Sequence, residues 1–222
     1  MGESMAHDFA AARTAMVDRQ VRPSDVTSFP IIEAMLAIPR ERFTPRRLQA
    51  VAYSDAPIPL APGREMLAPR DFAKMLDGAR IGPDDLVLDL CPGLGYSTAV
   101  IARMAAAVIA IEPDGEMAAA AAERLAAEQI DNAILTAGDP AKGDPAHGPF
   151  DAIFINGGVA RAPEALTPML REGGRIVAVL MEGPVGRACA FTRTGERLQM
   201  RPLFGASAAI LHGFEAEATF VF

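Results

Sequence analysis

The residues best suited to chemistry surround a glycine-rich turn that follows a short apolar run. Leu86–Leu88 has the pattern of a buried strand, and Gly93 and Gly95 come shortly after it, before a helical stretch that begins at Tyr96. Glycines let the backbone approach a ligand closely, and a helix N-terminus favours an anion. In open parallel sheets, ligands bind beyond the carboxyl ends of the strands, where the strand order reverses. The segment therefore predicts a ligand-binding turn.

Three acidic residues at the ends of successive predicted strands suggest what this turn binds. Glu112 follows Gly93 by about 20 residues, the spacing of an acid that accepts hydrogen bonds from ribose hydroxyls. Asp89 suits a ligand with an ammonium group, and Asp139 is placed to accept a hydrogen bond from an adenine amino group. A dinucleotide turn would carry a third glycine where this chain has Thr98. The set therefore favours S-adenosylmethionine over a nicotinamide dinucleotide.

Each of these residues also has an ordinary structural explanation. Gly-x-Gly turns occur for packing reasons alone, Asp89 could cap a helix, and Glu112 could be a solvated strand end. We favour the cofactor interpretation because the residues occur together, in the order that such a site requires.

The sequence after residue 85 alternates apolar runs with helical stretches. Asp114 is placed to cap an alanine-rich helix that ends near Glu128. This alternation predicts a parallel sheet covered on both faces. After Gly186 the apolar runs lack long helices between them, which predicts an antiparallel edge. The predicted strands are Leu86–Leu88, Val108–Ile111, Ala133–Leu135, Ala152–Ile155, Arg175–Leu180, Ala188–Thr192, Leu198–Phe204 and Ala218–Phe222, and further helices are Tyr96–Met104 and Pro163–Leu170, the latter followed by a turn at Gly173-Gly174.

The N-terminal third predicts helices joined by proline-rich connections. Residues 9–21 carry apolar side chains on one helical face, and Ser28 is placed to cap a second helix. A third helix is predicted over Asp71–Arg80. The segment 56–69 holds four prolines and a glycine and predicts an extended loop, a kind of segment that often carries function.

These patterns predict two parts of the chain. Residues 1–80 are expected to form a helical and loop cap, and residues 81–222 a Rossmann-like ligand-binding domain. The cap should pack at the carboxyl edge of the sheet and place its proline-rich loop over Gly93.

Composition limits the classes of partner. The chain has 222 residues, 50% of them hydrophobic and 22% charged, with a formal net charge of −7. This balance permits a sizeable core and disfavours nucleic acid, since phosphate binding relies on Lys and Arg. Four arginines do lie close together, and we interpret them as a solvated helix face. They are Arg40, Arg42, Arg46 and Arg47.

Cysteine and histidine usage predicts a reducing compartment and no metal site. Cys91 and Cys189 have no paired spacing, and the three histidines are scattered. The first residues lack the apolar region of a signal peptide, and no apolar run approaches the ~18 residues of a membrane span. We expect a cytoplasmic protein that is not associated with a membrane.

Several motifs resemble those of the protein-L-isoaspartate O-methyltransferase family. The resemblance begins near the N-terminus, continues through the glycine turn and extends to about Val177. The N-terminal motifs are the more specific, because many methyltransferases share the Rossmann-like part. The matching segments are Met16–Pro23, Ile38–Pro45, Ala52–Pro59, Gly138-Asp139, Pro149–Ile153 and Leu170–Arg175.

The resemblance implies an α/β fold and a reaction. The fold would be that of a Rossmann-like class I methyltransferase, with a mostly parallel seven-stranded sheet, helices on both faces and an N-terminal helical cap. The reaction would transfer a methyl group from S-adenosylmethionine to the α-carboxyl of isoaspartyl residues in a protein or peptide. By position, the methionine end would lie at Asp89, Cys91, Gly93, Gly95 and Tyr96, the ribose at Glu112, and the adenine at Asp139.

Two segments depart from the family pattern. Cys91-Pro92 replaces the usual first residues of the turn, and Pro92 removes a backbone donor. The acceptor loop of the family reads G-Q-T-I-S-Q-P, whereas this chain has Leu67 in place of the serine and adds a charge at Glu65. At ~4 Å, two like charges repel by about 1 kcal/mol in water and about 4 kcal/mol at an effective dielectric of 20. We therefore expect low isoaspartyl activity unless Arg64 compensates.

The sequence leaves the methyl acceptor and the oligomeric state open. Asn156, after the fourth strand, could contact the acceptor or simply be a turn residue beside Gly157. One alternative is a methyltransferase of the same fold with another acceptor, for which Glu65 would be an advantage. Another is a non-catalytic homologue that retains the cofactor pocket. The chain is expected to be a monomer or a homodimer.

Overall fold

The chain folds around one large sheet with a small hairpin beside it. The structure is a computed structural model and describes residues 8–216. The strands are β1 (Ile58–Ala61), β2 (Arg64–Met66), β3 (Leu86–Leu90), β4 (Ala107–Glu112), β5 (Ala133–Ala137), β6 (Phe150–Val159), β7 (Leu170–Glu182), β8 (Val185–Thr194) and β9 (Arg197–Gly205). The α-helices are α1 (Phe9–Met16), α2 (Phe29–Ala37), α3 (Pro69–Ala79), α4 (Tyr96–Ala102) and α5 (Gly115–Ala127).

Seven strands form the large sheet in the order β5-β4-β3-β6-β7-β8-β9. Strands β3 to β7 pair in parallel, and β8 and β9 pair antiparallel at one edge. The predicted fold class, a mostly parallel seven-stranded sheet, is confirmed. The chain builds outward from β3 through β4 and β5 and then crosses to β6, so the strand order reverses beside β3. Ligands bind at such a point in open sheets.

The two faces of the sheet have different covers. Val87 and Phe154 face one side and belong to the core beneath α3 and α4. Leu88 and Ile153 face the other side, which is covered by a short 3-10 helix over Glu164–Met169 and by the last described residues of the chain. The strands are apolar on both faces because both are buried.

The N-terminal helices pack into the same core as the sheet. Met16 and Val17 are buried at the end of α1, which continues as a π-helical turn to Val21. Helix α2 begins directly after Ser28, although the Ser28 side chain makes no capping hydrogen bond. By contrast, Asp114 caps α5 as predicted, since its carboxylate accepts from two backbone N–H groups of the first turn.

The segment predicted as an extended loop is instead a β-hairpin. Strands β1 and β2 pair antiparallel with an irregularity between Pro59 and Ala61. Gly63 has a φ of +69°, which allows the reversal between them. Prolines argued against a strand because they cannot donate to a ladder, yet a two-stranded hairpin has open edges where proline is tolerated. The segment 58–66 is called the hairpin below.

The structure differs from three smaller predictions. Residues 164–169 form a 3-10 helix, and Gly173 and Gly174 lie within β7, where the register against β6 shifts. Asn156 lies inside β6, because this strand runs four residues farther than the apolar pattern shows. The strand predicted at 218–222 lies outside the described residues.

Candidate active site

Three residues of the glycine turn, Cys91, Gly93 and Gly95, have positive φ, and the two glycines face different neighbours. Gly93 has a φ of +62°, and the Leu60 side chain of the hairpin occupies the space that a Cβ would need. Gly95 has a φ of +93° and packs against Ala121 of α5, where an added Cβ would lie 3.2 Å from the alanine Cβ. Gly93 therefore faces the hairpin, whereas Gly95 faces the body of the protein.

Asp89 is fully buried at the end of β3 and orders the first turn of α4. Its Oδ2 accepts hydrogen bonds from the hydroxyls of Ser97 and Thr98, both at 2.7 Å, and its Oδ1 accepts from Asn156 Nδ2 at 2.6 Å. Burial raises the pKa of Asp89 to about 6, although these hydrogen bonds act in the opposite direction. A carboxylate has about four acceptor positions, so one is left for a further donor.

Glu112 is fully buried at the end of β4, and both of its oxygens are engaged. Oε1 accepts from Arg64 Nη1 at 2.7 Å and from the backbone N–H of Asp114 at 3.2 Å. Oε2 accepts from Arg64 Nη2 and from the backbone N–H of Gly93, both at 2.7 Å. The four donors fill the capacity of the carboxylate.

Arg64 belongs to β2 and reaches down from the hairpin into the strand-end site, which comprises Asp89, Gly93, Gly95 and Glu112. Its side chain is 12% exposed. Burial lowers the pKa of Arg64, but hydrogen bonding and the charge of Glu112 outweigh burial and raise it above its ordinary value. Its two Nη groups each donate to one oxygen of Glu112. Two neighbouring hydroxyls of a ribose would donate to the two oxygens in the same way. Glu112 therefore binds a bidentate donor through both of its oxygens.

Cys91 is part of the turn and lies beneath the hairpin. It has a φ of +59°, and its carbonyl accepts from Arg64 Nη2 at 3.2 Å. Burial raises the pKa of the Cys91 thiol to about 12; Arg64 lowers it, and the carboxylates of Glu112, Asp89 and Asp139 raise it further. The carboxylates at or just beyond the ends of three neighbouring strands therefore all act on the thiol of this turn.

Asp139 differs from the other two acids because it is exposed. Lys142 Nζ lies 3.2 Å from its carboxylate, and the hydrogen bond from Lys142 holds the pKa of Asp139 below its ordinary value. Its predicted contact with an adenine stays a prediction.

The predicted acceptor residues meet at a small cavity between the hairpin and α4. Glu65, Leu67 and Asn156 line it, and about 10 Å³ is free, roughly the room for one water. Burial raises the pKa of the Glu65 carboxyl, against a hydrogen bond from the Ala209 backbone. Asn156 Nδ2 donates to Asp89 and to the carbonyl of Leu90. Asn156 is thus neither a turn residue nor free of internal partners.

Arg40 is a functional candidate that the sequence argument missed. The interpretation of its cluster as a solvated face is wrong for this residue, which is fully buried. Two of its three guanidinium nitrogens find partners inside, and Nη1 is buried without a hydrogen-bond partner among the described residues. Its Nε donates to the carbonyl of Ala52 at 2.8 Å and its Nη2 to that of Leu67 at 2.6 Å. The guanidinium carbon lies 4.8 Å from the centroid of the Tyr96 ring. Arg40 therefore connects Leu67 of the predicted acceptor loop to Tyr96, the first residue of α4.

The fold is that of a Rossmann-like class I methyltransferase, with a seven-stranded, mostly parallel sheet and a glycine turn at its switch point. The chain belongs to the protein-L-isoaspartate(D-aspartate) O-methyltransferase family, whose model matches residues 11–201.

Individual relatives agree with this assignment. A protein-L-isoaspartate O-methyltransferase of Methylorubrum extorquens (strain PA1) is 38% identical over 179 residues, which cover 81% of this chain and 77% of the relative. A crystal structure from Plasmodium falciparum, described as a protein-L-isoaspartate O-methyltransferase in complex with S-adenosyl-L-homocysteine, aligns with a TM-score of 0.78 and 20% identity over 90% of this chain and 98% of that chain. Another solved protein-L-isoaspartate O-methyltransferase aligns with a TM-score of 0.77 and 23% identity, covering 90% of this chain, which spans 65% of that chain.

Two features are absent from residues 8–216, the described part of the chain. No helix in that range is long and apolar enough to cross a membrane. The same residues hold no group of three or more His, Cys, Asp or Glu side chains that could bind a metal ion.

Proposed function

We propose that this protein is an S-adenosylmethionine-dependent methyltransferase that methylates a carboxyl group of isoaspartyl residues in proteins or peptides. The observation that carries the proposal is the carboxylate of Glu112, whose two oxygens both accept hydrogen bonds from one bidentate donor. It lies beside the glycine turn, where the strand order of the sheet reverses. Membership of the family supports the acceptor class.

The strand-end site supplies the groups that such a cofactor needs. Glu112 would accept from the ribose hydroxyls, and the remaining acceptor position of Asp89 suits the ammonium group. Cys91, Gly93, Gly95 and Tyr96 would border the methionine end, and Asp139 the adenine. The bound cofactor supplies the electrophilic methyl group.

The residues of this chain would then orient the acceptor and exclude water. An acceptor carboxylate is already ionised at neutral pH and needs no general base. The hairpin closes the site from above, and Arg40 holds Leu67 in place through its carbonyl. Orientation is the main contribution, because misplacing a nucleophile by ~1 Å costs on the order of a hundredfold in rate.

A second acceptor class is favoured by one observation. Glu65 places a half-buried carboxyl at the acceptor cavity, and burial of this carboxyl raises its pKa. A cationic or neutral acceptor would meet less electrostatic opposition there than a carboxylate would. This candidate keeps the fold and the cofactor and changes the substrate.

The proposal extends to partner and compartment. The partner would be a protein or peptide, with no role for nucleic acid given the net charge of −7. Cys91 and Cys189 are both buried as free thiols, which favours a reducing compartment such as the cytoplasm. We propose a monomer or a homodimer.

Methyl transfer to two matched peptides tests the proposal. One peptide carries an isoaspartyl residue and the other an ordinary aspartyl residue in the same sequence. We expect a base-labile methyl ester on the first peptide and none on the second. Transfer to neither peptide, or equally to both, would contradict the isoaspartyl assignment, and transfer to cationic acceptors instead would favour the second class.

A further inference from the structure

The ion pair between Arg64 and Glu112 occupies the atoms that the proposed cofactor would use. The Arg64 fork takes both oxygens of Glu112 at 2.7 Å, and Leu60 of the same hairpin fills the space above Gly93. A ribose and the hairpin therefore compete for one carboxylate.

The tip of the hairpin can leave this position while its two ends stay anchored, because Ile58 and Met66 are buried in the main core. Its tip at Pro62 and Gly63 is exposed, and nothing in the described structure lies within 4 Å of a Cβ built on Gly63. Arg64 is the part of the hairpin that is bound to the strand-end site by charge. Exposed tips of short hairpins open more readily than core strands.

Displacement by a ribose leaves Arg64 with an unpaired charge. A partly buried guanidinium that loses its carboxylate is strongly penalised. Its remaining contact is the Cys91 carbonyl at 3.2 Å, which carries no full negative charge. Arg64 therefore needs a new anion, and the carboxylate of an isoaspartyl acceptor is one.

The residues that line the acceptor cavity differ in the donors that they can offer a carboxylate. Leu67 has no side-chain donor, and Glu65 is an acid. Arg40 has one buried donor, Nη1, without a partner in the described part of the chain, but its Nε and Nη2 are held by the backbone carbonyls of Ala52 and Leu67. Arg64 is the cation that a ribose at Glu112 would release.

We propose that Arg64 sets the order of binding and recognises the acceptor. In the closed state it holds Glu112; the cofactor displaces it, and the released guanidinium binds the acceptor carboxylate. Cofactor and acceptor then strengthen each other's binding, because each favours the released position of Arg64. This inference rests on the proposed function.

The cofactor half of the proposal is tested by binding of S-adenosyl-homocysteine to Arg64→Met. We expect calorimetry to show binding at least about tenfold tighter than in the wild type, since the competitor is gone. Arg42→Met is the matched control: this arginine pairs with Glu128 outside the site and should leave the affinity unchanged. Affinity in Arg64→Met equal to or weaker than that of the wild type would overturn the proposal.

The acceptor half is tested with a fluorescent isoaspartyl peptide. In the wild type, S-adenosyl-homocysteine should tighten peptide binding by at least about fivefold, the lower end of common coupling. In Arg64→Met this coupling should vanish and the peptide should bind at least about tenfold more weakly. Arg64→Lys keeps the charge without the fork and should retain part of the coupling. Unchanged peptide binding in Arg64→Met would overturn the proposal.

A measurement without any ligand guards against a misfolded variant. Cys91 is buried beneath the hairpin and Cys189 in β8, so one chain carries both a probe and a control thiol. Alkylation of Cys91 should be at least about tenfold faster in Arg64→Met, with Cys189 unchanged. Removing Arg64 also removes an influence that lowers the pKa of Cys91, so a faster reaction reports access rather than acidity. Equal alkylation rates of Cys91 in the wild type and in Arg64→Met would contradict the proposed closed position of Arg64. Faster alkylation of both Cys91 and Cys189 in the variant would contradict it as well.

These outcomes separate the inference from the function on which it rests. Wild-type methylation of the isoaspartyl peptide, with no binding change in Arg64→Met, overturns the inference and leaves the function. Coupled binding that Arg64→Met abolishes, without methyl transfer by the wild type, overturns the function and leaves the inference.

Discussion

The strand-end site and the hairpin are built on different physical principles, although they meet at Glu112. Asp89 and Glu112 are fully buried at the ends of central strands, and donors from their own surroundings hold each carboxylate. The hairpin has two short strands and an exposed tip, and it reaches the site through Arg64 and Leu60. Under the proposed function, the difference assigns cofactor binding to the rigid sheet and assigns access and acceptor choice to the hairpin.

The largest expected effect compares stability in the two regions. Phe154 is fully buried on β6 and packs edge-on against Phe72, with ring centroids 5.5 Å apart. Phe154→Ala should lower the free energy of unfolding by about 3–5 kcal/mol. Leu60→Ala on the partly exposed hairpin should cost about 1 kcal/mol or less. Urea denaturation measures both, and similar losses would show that the hairpin belongs to the core.

The dependence of the unfolding free energy on pH tests the part of this comparison that concerns the buried acids of the sheet. Burial raises the pKa of Asp89 from 3.8 to about 6. Its contribution is therefore fully present below about pH 4 and is lost as the pH rises through 6, by at most about 3 kcal/mol. Asp89→Asn should flatten the change in unfolding free energy across this range.

Asp139 serves as the control for that experiment. Its pKa is lowered, so its contribution is present above its ordinary pKa and is lost as the pH falls. Asp139→Asn should therefore leave the fall between pH 4 and 6 in place. The same pH profile in Asp89→Asn and the wild type would contradict the account of Asp89.

The smallest effect concerns the acceptor residues beside the hairpin. The double change Glu65→Thr, Leu67→Ser removes a negative charge from the cavity and adds a hydroxyl. Isoaspartyl methylation should rise by roughly tenfold or more, given a repulsion of about 1–4 kcal/mol. Initial rates on one isoaspartyl peptide measure it. High wild-type turnover that the double change does not improve would show that the acceptor residues of this chain already suffice.

The sequence predicted the sheet and its strand ends better than the elements above them. Asp114 and the glycine turn are local signals, because a cap or a turn depends on residues near in sequence. The pair between Arg64 and Glu112 joins residues 48 positions apart, and no local pattern encodes it. The burial of Arg40 was missed for the same reason, since its partners lie 12 and 27 positions away. A charged residue is interpreted as exposed unless its partners are known.

The central claim is that Glu112 binds the cofactor ribose and that Arg64 competes for the same carboxylate. Calorimetry of S-adenosyl-homocysteine with Arg64→Met and with Arg64→Met, Glu112→Ala tests it most directly. The double variant leaves no unpaired buried charge, so its affinity reports the ribose contact alone. We predict 1:1 binding by the single variant and a loss of about 1.5–3 kcal/mol in the double variant. Equal affinity in the two variants would contradict the claim and remove Glu112 from the cofactor site.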